Sequence, residues 1–585
     1  MRILRHAFAA SLILAAGFPA LAQPLQPEPA TGARARAAVH ARRFMVAAAN
    51  PLAVDAGVQA LRTGGSAVDA AIAVQMVLGL VEPQSSGIGG GAFLLHWARA
   101  ERRLRGYDGR ETAPAAARPG RFLDAAGAPL APAEAMASGR AVGAPGVLRM
   151  LEAAHRRHGR IAWAKLFDPA IRLAERGFPM SPRLFRLLEG ERALRADAAA
   201  RALYYGSDDR PRPIGALIFN PEYAATLRAV AAFGADAFYS GAIAEDVVRA
   251  VAAHRRPGDL SSEDLLNYHA VEREPVCGYY RARRICSMGP PAGGVTLLQI
   301  LGILERTPFH RAAPGSADAL HLFSEAARLA YADRARYLAD PGFVGQPVAG
   351  LLEFGYLESR AAKIGERSMG HAAPGTPRGA PASLADSRSA EPAGTSHLSI
   401  VDARGDAVAM TSSIESAFGS RIMVRGFLLN NELTDFSHSP GSGGRAARAG
   451  RSDARVAANR IEPGKRPRSA MSPTLVFGRD GQLQAVLGSA GGPQIIVYVA
   501  KALVAMLDWG LDAQSAVALP NFGSRNGPTE IERGSDYEAL APALRERGHE
   551  VLLIDLTSGT QAVERVAGGW RGGADPRREG AAQGE

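Results

Sequence analysis

The sequence predicts an α+β chain, because its apolar periodicity changes along its length. From about residue 97 to 348 apolar residues recur mostly at helical spacing, as in 147–158, 246–254 and 316–338. Beyond Thr395 they alternate as in strands, and the stretch 361–394 between the two regions is polar and rich in Pro and Ser, a linker. Upstream, residues 44–97 mix both patterns. An apolar helix at 67–80 is followed by Ser85-Ser86-Gly87-Ile88-Gly89-Gly90-Gly91, whose glycines mark close backbone approach, and then by an apolar run to Leu95. In the C-terminal part, 396–401 and 407–414 flank the turn Ala403-Arg404-Gly405-Asp406, while 472–477 and 483–487 flank Asp480-Gly481. Both pairs read as β-hairpins, and the Arg-Gly-Asp is turn chemistry rather than an adhesion signal. Gly488-Ser489-Ala490-Gly491-Gly492-Pro493 then opens an apolar helix at 494–507 that stops near Gly510, with Pro493 suited to the first helical position.

With 585 residues, 47% of them apolar, the chain can bury one large core or two smaller ones. Its first 22 residues differ from the rest: Arg2 and Arg5 precede an apolar run at 7–16, and Ala20-Leu21-Ala22 has the small-x-small pattern of a signal-peptidase site. This predicts cleavage after Ala22 and a periplasmic or secreted mature protein. No other stretch approaches the ~18 to 20 uninterrupted apolar residues of a membrane helix, so no stable span is expected. Formal charge is +11, of which the leader supplies two, leaving +9. Only four basic residues are lysine (Lys165, Lys363, Lys465, Lys501), and the arginines are scattered rather than interleaved with aromatics, which argues against a nucleic-acid surface. Cys277 and Cys286 flank a short predicted hairpin. In an oxidising compartment a disulfide is the favoured reading and two buried free thiols the alternative; no His or Asp cluster accompanies them, so no metal is expected.

The chemistry concentrates at Gly394-Thr395-Ser396-His397, where a hydroxyl residue heads a strand directly after the linker. If the Gly394–Thr395 bond is cut, Thr395 gains a free α-amine beside its own hydroxyl, and nucleophile and general base become one residue. Gly491 and Gly492 would present backbone N–H groups at a helix N-terminus, where partial positive charge favours an oxyanion. Each position also has a structural reading: Thr395 as a strand residue, Gly491-Gly492 as a tight turn, Arg110 as a surface arginine after a turn, Asp435 as a helix cap, Ser469 as a loop hydroxyl. His397 reads as a satisfied strand or core residue and is left out of catalysis.

Taken together, the blocks resemble one family. Thr395-Ser396-His397, Leu428-Leu429-Asn430-Asn431-Glu432-Leu433-Thr434-Asp435-Phe436, Pro463-Gly464-Lys465-Arg466-Pro467-Arg468-Ser469-Ala470-Met471-Ser472-Pro473-Thr474 and Gly488-Ser489-Ala490-Gly491-Gly492 resemble the γ-glutamyltranspeptidases, or glutathione hydrolases. Upstream, Asp108-Gly109-Arg110-Glu111-Thr112-Ala113-Pro114, Gly143-Ala144-Pro145-Gly146 and Pro290-Pro291-Ala292-Gly293-Gly294 also match, and Gly559-Thr560-Gln561 and Asp575-Pro576-Arg577 extend the resemblance from about 47 to 580.

The resemblance implies the four-layer αββα sandwich of N-terminal nucleophile hydrolases, and a precursor that cuts itself into a large subunit, 23–394, and a small one, 395–585, which stay together as a heterodimer. Cleavage would fall between Gly394 and Thr395, by attack of the Thr395 hydroxyl on the Gly394 carbonyl. The same hydroxyl would then take the acyl group of a γ-glutamyl substrate such as glutathione and pass it to water or to an amino-acid or peptide acceptor. By family position, Arg110 and Ser469 face the substrate α-carboxylate, Glu432 and Asp435 its α-amine, Ser413 the nucleophile, and Gly491 and Gly492 the oxyanion; no cofactor is implied. Three departures stand out. Glu415 occupies a position where better-known members have Asn, Ser469-Ala470 stands where two serines are common, and 438–462 carries no Tyr but has Arg445, Arg448, Arg451, Arg455 and Arg460. The rival readings are an acylase of the same fold acting on a dicarboxylic acyl amide, as cephalosporin acylases do, and a non-catalytic binder of glutamyl peptides.

Overall fold

The computed structural model describes residues 28–387, 389, 392–438 and 455–585; the leader at 1–22 and most of the Tyr-less loop lie outside them. The strands of the two large sheets are, in chain order, β1 Val39–Ala41, β2 Met45–Ala48, β3 Gly91–Ala98, β4 Arg103–Gly109, β5 Val271–Arg273, β6 Val276–Tyr280, β7 Arg283–Ser287, β8 Ser396–Val401, β9 Ala407–Ser413, β10 Thr474–Phe477, β11 Leu483–Gly488, β12 Gln561–Val566, β13 Gly569–Ala574 and β14 Ala581–Gly584. They form two seven-stranded sheets, ordered β14-β2-β8-β9-β3-β4-β5 and β1-β13-β12-β11-β10-β7-β6. Each neighbouring pair is antiparallel.

Strand alternation assigns the layers. Val46 and Ala48 of β2, Ala92 and Leu94 of β3, Leu398 and Ile400 of β8, and Val408 and Met410 of β9 face one way, into a core shared with helices Pro51–Arg62 and Ala67–Val81. Met45, Ala47, Phe93, Leu95 and Val401 face the other way, onto Leu475, Leu487 and Val563 of the second sheet. The same core takes in helices Gly294–Leu304, Ala317–Tyr337 and Ile495–Leu507. The order is helices, sheet, sheet, helices: an α+β, αββα sandwich. Every residue of Ala67–Val81 is buried, which accounts for an apolar pattern with little sidedness, and Ser66 with Asp69 closes its N-terminus as a capping box.

The helix expected at 147–158 is Val147–His158, that at 246–254 begins earlier as Gly241–Ala253, and that at 316–338 is Ala317–Tyr337. Both C-terminal hairpins form, with Gly405 (φ 80°) and Gly481 (φ 72°) in left-handed turn positions. Asp406 of the Arg-Gly-Asp turn accepts from the Arg99 backbone N–H and pairs with Arg160, so it is bound within the protein. The linker departs from expectation at one point: Leu384–Ala385 pairs in parallel with Val456–Ala457, tying the segment before Thr395 to the chain after it. Cys277 and Cys286 are register partners on β6 and β7 and are joined as a disulfide. No helix among the described residues is long and apolar enough to cross a membrane.

Candidate active site

Thr395 immediately precedes β8, and the antiparallel register that pairs Ser396 with Ser412 brings the end of β9 beside it. The Thr395 hydroxyl donates to Ser413 Oγ at 3.1 Å. Ser413 Oγ also accepts the Glu415 backbone N–H at 2.7 Å. The main chain is held on both sides: Thr395 N–H donates to the Ser85 carbonyl at 3.1 Å, and its carbonyl accepts Arg578 Nη1 at 2.9 Å. Thr395 sits at φ 90°, strained for a β-branched residue at a cost of about 1–3 kcal/mol.

The preceding carbonyl is equally defined. Gly394 O accepts the Gly491 N–H at 3.2 Å, and a Cβ at Gly394 would lie 1.8 Å from the Glu415 carbonyl oxygen. Gly491 (φ 125°) and Gly492 (φ 60°) lead through the 3-10 turn Gly492–Gln494 into helix Ile495–Leu507. A Cβ at Gly491 would meet the Tyr498 ring at 2.5 Å, and one at Gly492 the Pro392 carbonyl at 2.6 Å, so both positions require glycine. Gly491 therefore points a donor at the carbonyl nearest the hydroxyl, while Gly492 packs on the linker.

Arg110 follows β4 and is 1% exposed. Its Nη1 donates to Glu432 and its Nη2 to Asp435, both at 2.5 Å, and Nε and Nη2 also reach the Pro467 and Arg468 carbonyls at 3.1 Å. Glu432 and Asp435 share the 3-10 turn Glu432–Asp435, whose three-residue repeat puts both carboxylates on one side. Burial alone would lower the Arg110 pKa, but Glu432 and Asp435 outweigh it and hold the guanidinium charged. Glu415 (φ 78°) accepts the Ser416 N–H at 2.8 Å and a hydrogen bond from Asn431. Burial, reinforced by Asp435 and Glu432, pushes the Glu415 carboxyl well above its usual range. Burial pushes Glu432 to about 7 against the pull of Arg110. Glu111, buried 3.7 Å from Arg110, is likewise raised, by burial and then by Glu432.

These groups enclose a cavity of about 20 Å³ lined by Arg110, Thr395, Ser413, Glu415, Glu432, Asp435, Ser469, Ala470 and Gly492, with Pro392 of the linker in its wall. One water needs roughly 10–15 Å³, so the uncut chain has no room here for an amino-acid-sized group. Ser469 Oγ accepts the Met471 N–H at 3.1 Å, and Ala470 presents only a methyl group. The site-residue expectations thus converge on one place, Gly491 from just behind it. His397 lies apart from this chemistry: its ring nitrogens bond Thr411 and Ser399, and burial drops its pKa to about 3, so it is neutral.

Sequence reasoning assigned no role to several supporting residues. Arg466 Nη1 bonds Asp108 and the Arg110 carbonyl, fixing the strand end that aims Arg110. Ser85 grips the Thr395 backbone through its own carbonyl and Arg578 through its guanidinium, and contacts made through backbone groups leave no spacing signal. Among the described residues the one side-chain group with metal-like geometry is His321, Glu325 and His549. Its ring nitrogens are occupied by each other, Gly365 O and Thr529 Oγ1, so it reads as a hydrogen-bonded core network.

Comparison with known proteins agrees with this geometry. The family model described as gamma-glutamyltranspeptidase matches residues 53–585. The "Glutathione hydrolase proenzyme" of Escherichia coli (strain K12) is 35% identical over 98% of this chain and 97% of its own length. "Acylase ACY 1 proenzyme" of Pseudomonas sp. (strain SE83) is 34% identical over 88% of each. Among solved structures, a cephalosporin acylase from Bacillus halodurans superposes with a TM-score of 0.80 at 26% identity, covering 96% of this chain and 99% of that one. A site of this construction, on this sandwich, in a chain matched along nearly its whole length, leads to one assignment: the chain belongs to the γ-glutamyltranspeptidase family of N-terminal nucleophile enzymes.

Proposed function

We propose that the chain is a self-processing γ-glutamyl hydrolase and transferase whose nucleophile is Thr395. The observation that carries this reading is the Gly394 carbonyl, hydrogen-bonded to Gly491 N–H and directly preceding a strained Thr395 whose hydroxyl is bonded to Ser413. In maturation, Thr395 Oγ attacks the Gly394 carbonyl carbon as its proton passes towards Ser413, and Gly491 N–H stabilises the oxyanion. The C–N bond breaks, the Thr395 nitrogen takes up a proton, and water hydrolyses the resulting ester to a Gly394 carboxylate and a free Thr395. Cutting releases the φ strain and frees the linker that walls the cavity. The products are a large subunit, 23–394, and a small one, 395–585.

In turnover the Thr395 amine accepts the hydroxyl proton while Oγ attacks the γ-amide carbon. The leaving amine takes that proton, and water or an acceptor amine resolves the γ-glutamyl ester. Arg110 pairs with the substrate α-carboxylate, and Glu415, Glu432 and Asp435 with its α-ammonium. The Pseudomonas acylase relative and the acylase structural neighbour favour a second reading, cleavage of a dicarboxylic acyl amide. Such an acyl chain brings no cation to this cluster of buried carboxylates, so we place it second. The Arg-flanked leader and the disulfide support export of the mature enzyme.

Comparing γ-glutamyl-anilide with glutaryl-anilide, each with and without a dipeptide acceptor, tests this reading. A higher kcat/KM for the γ-glutamyl compound is expected, with no turnover of either by Thr395→Ala. Faster glutaryl cleavage would transfer the assignment to the acylase reading.

A further inference from the structure

Two arms converge on the Thr395 backbone from behind, and both start at one carboxylate near the beginning of the described chain. Glu28 is 5% exposed. Its Oε2 accepts Arg578 Nη2 at 2.7 Å, and Arg578 Nη1 in turn donates to the Thr395 carbonyl at 2.9 Å. Its other oxygen is ion-paired with Arg183, whose Nη2 lies 3.4 Å from the hydroxyl of Ser85, and the Ser85 carbonyl accepts the Thr395 N–H. Arg183 and Arg578 are 1% and 3% exposed, so neither charge is satisfied by solvent. The other acids nearby are Glu82, 3.5 Å from Arg183 Nε, Glu579, which accepts the Arg183 backbone N–H, and the buried Asp575, whose charge acts on Arg578. Among the described residues Glu28 alone is ion-paired with both arginines.

We infer that Glu28 is a positioning residue for the nucleophile: through Arg578 and Arg183 it fixes the Thr395 carbonyl and nitrogen, and it offsets the positive charge that Arg578 brings to the Thr395 α-amine. This rests on the reading of Thr395 as the nucleophile. A general base must be neutral at working pH and aimed at its own hydroxyl, and a backbone gripped at both ends supplies the aim. The charge argument is separable from it. On its backbone side the amine has Ser85 and Arg578 and, behind them, Arg183, Glu28, Glu82, Glu579 and Asp575; on its hydroxyl side lie Ser413 and then Glu432, Glu415, Asp435 and Arg110. Removing the Glu28 charge leaves the backbone side more positive, which disfavours the ammonium form. The amine then stays neutral to lower pH, and the acid limb of kcat/KM moves down.

The test uses processed wild type, Glu28→Gln and Glu28→Asp, assayed with γ-glutamyl-anilide across pH alongside thermal melting. In Glu28→Gln, kcat should fall about tenfold or more with KM held within about twofold, because an aligned charge-assisted contact is lost away from the substrate pocket. Its acid limb should shift down by about half a pH unit. Glu28→Asp keeps the charge but cannot span both arginines, so its limb should match wild type while kcat is intermediate. A Glu28→Gln enzyme with wild-type kcat and pH profile would overturn the inference, as would equal losses in both variants with the limb unmoved. Should Glu28→Gln fail to accumulate, Glu28→Asp decides alone: lowered kcat at unchanged KM supports the role, and wild-type kcat rejects it. A wild type that neither splits at 394/395 nor turns over the substrate would instead overturn the nucleophile reading itself.

Discussion

Gly394 is the most tightly specified residue of the site. A methyl group there would lie 1.8 Å from the Glu415 carbonyl oxygen, and a backbone atom cannot rotate away as a side chain can. Gly394→Ala should therefore leave the chain uncut or unfolded, while Ala393→Gly should still split; a denaturing gel reads both. His397 gives a pH prediction. Its folded-state pKa of about 3 lies below the ordinary 6.5 because burial disfavours the imidazolium, so unfolding takes up a proton between those values. Its contribution is complete above pH 6.5 and lost as pH falls towards 3, about 3 kcal/mol of it by pH 4. Denaturant titrations at pH 7 and pH 4 should show wild type losing that much more stability than His397→Gln. At this scale the grouping of Thr395, Arg110, Glu432 and Gly491 was legible, because each stands in an ordered block and the structure gathers them at one place. The sequence was silent on Glu28, Ser85 and Arg578, because their roles arise from contacts between distant segments, two of them through backbone carbonyls.

Elements were legible where one pattern ruled them. Helix Val147–His158 coincides with its periodicity because it buries one face, and strand β8 with its alternation because Leu398 and Ile400 face the helices while Val401 faces the second sheet. Strand β4, Arg-Leu-Arg-Gly-Tyr-Asp-Gly, lay unseen in a region read as helical, since its arginines mask the alternation. Its Arg105 is buried only because it pairs with Glu101 and Glu272. The linker's pairing at Leu384–Ala385 was invisible for a related reason: its partner lies beyond Thr395, at Val456–Ala457. The Cys277–Cys286 bridge closes a short loop in the hairpin at the edge of the second sheet, on the far side of β7 from β10. Its loss should cost about 2 kcal/mol of stability. Replacing both cysteines by alanine should lower the denaturation midpoint and leave kcat unchanged, and a lost kcat would mean that the hairpin does more than brace the sheet.

The two sheets interleave the segments on either side of the Gly394–Thr395 bond. In the first, β8 and β9 sit between β2 and β3; in the second, β10–β13 sit between β1 on one side and β7 on the other. Breaking one peptide bond leaves these ladders and both cores intact. The processed chains should thus co-elute as one species in buffer and separate only in denaturant, whereas spontaneous separation would contradict the interleaved sheets. The α+β class was legible from periodicity and the four layers from the resemblance. Which strands lie side by side was not, because pairing across hundreds of residues leaves no local trace.

Mass spectrometry of the enzyme quenched in acid during turnover of a γ-glutamyl substrate probes the central claim most directly. The account predicts a small chain whose first residue is Thr395, with a γ-glutamyl adduct on the peptide that begins there. An intact Gly394–Thr395 bond in active enzyme, or an adduct on any other residue, would contradict it.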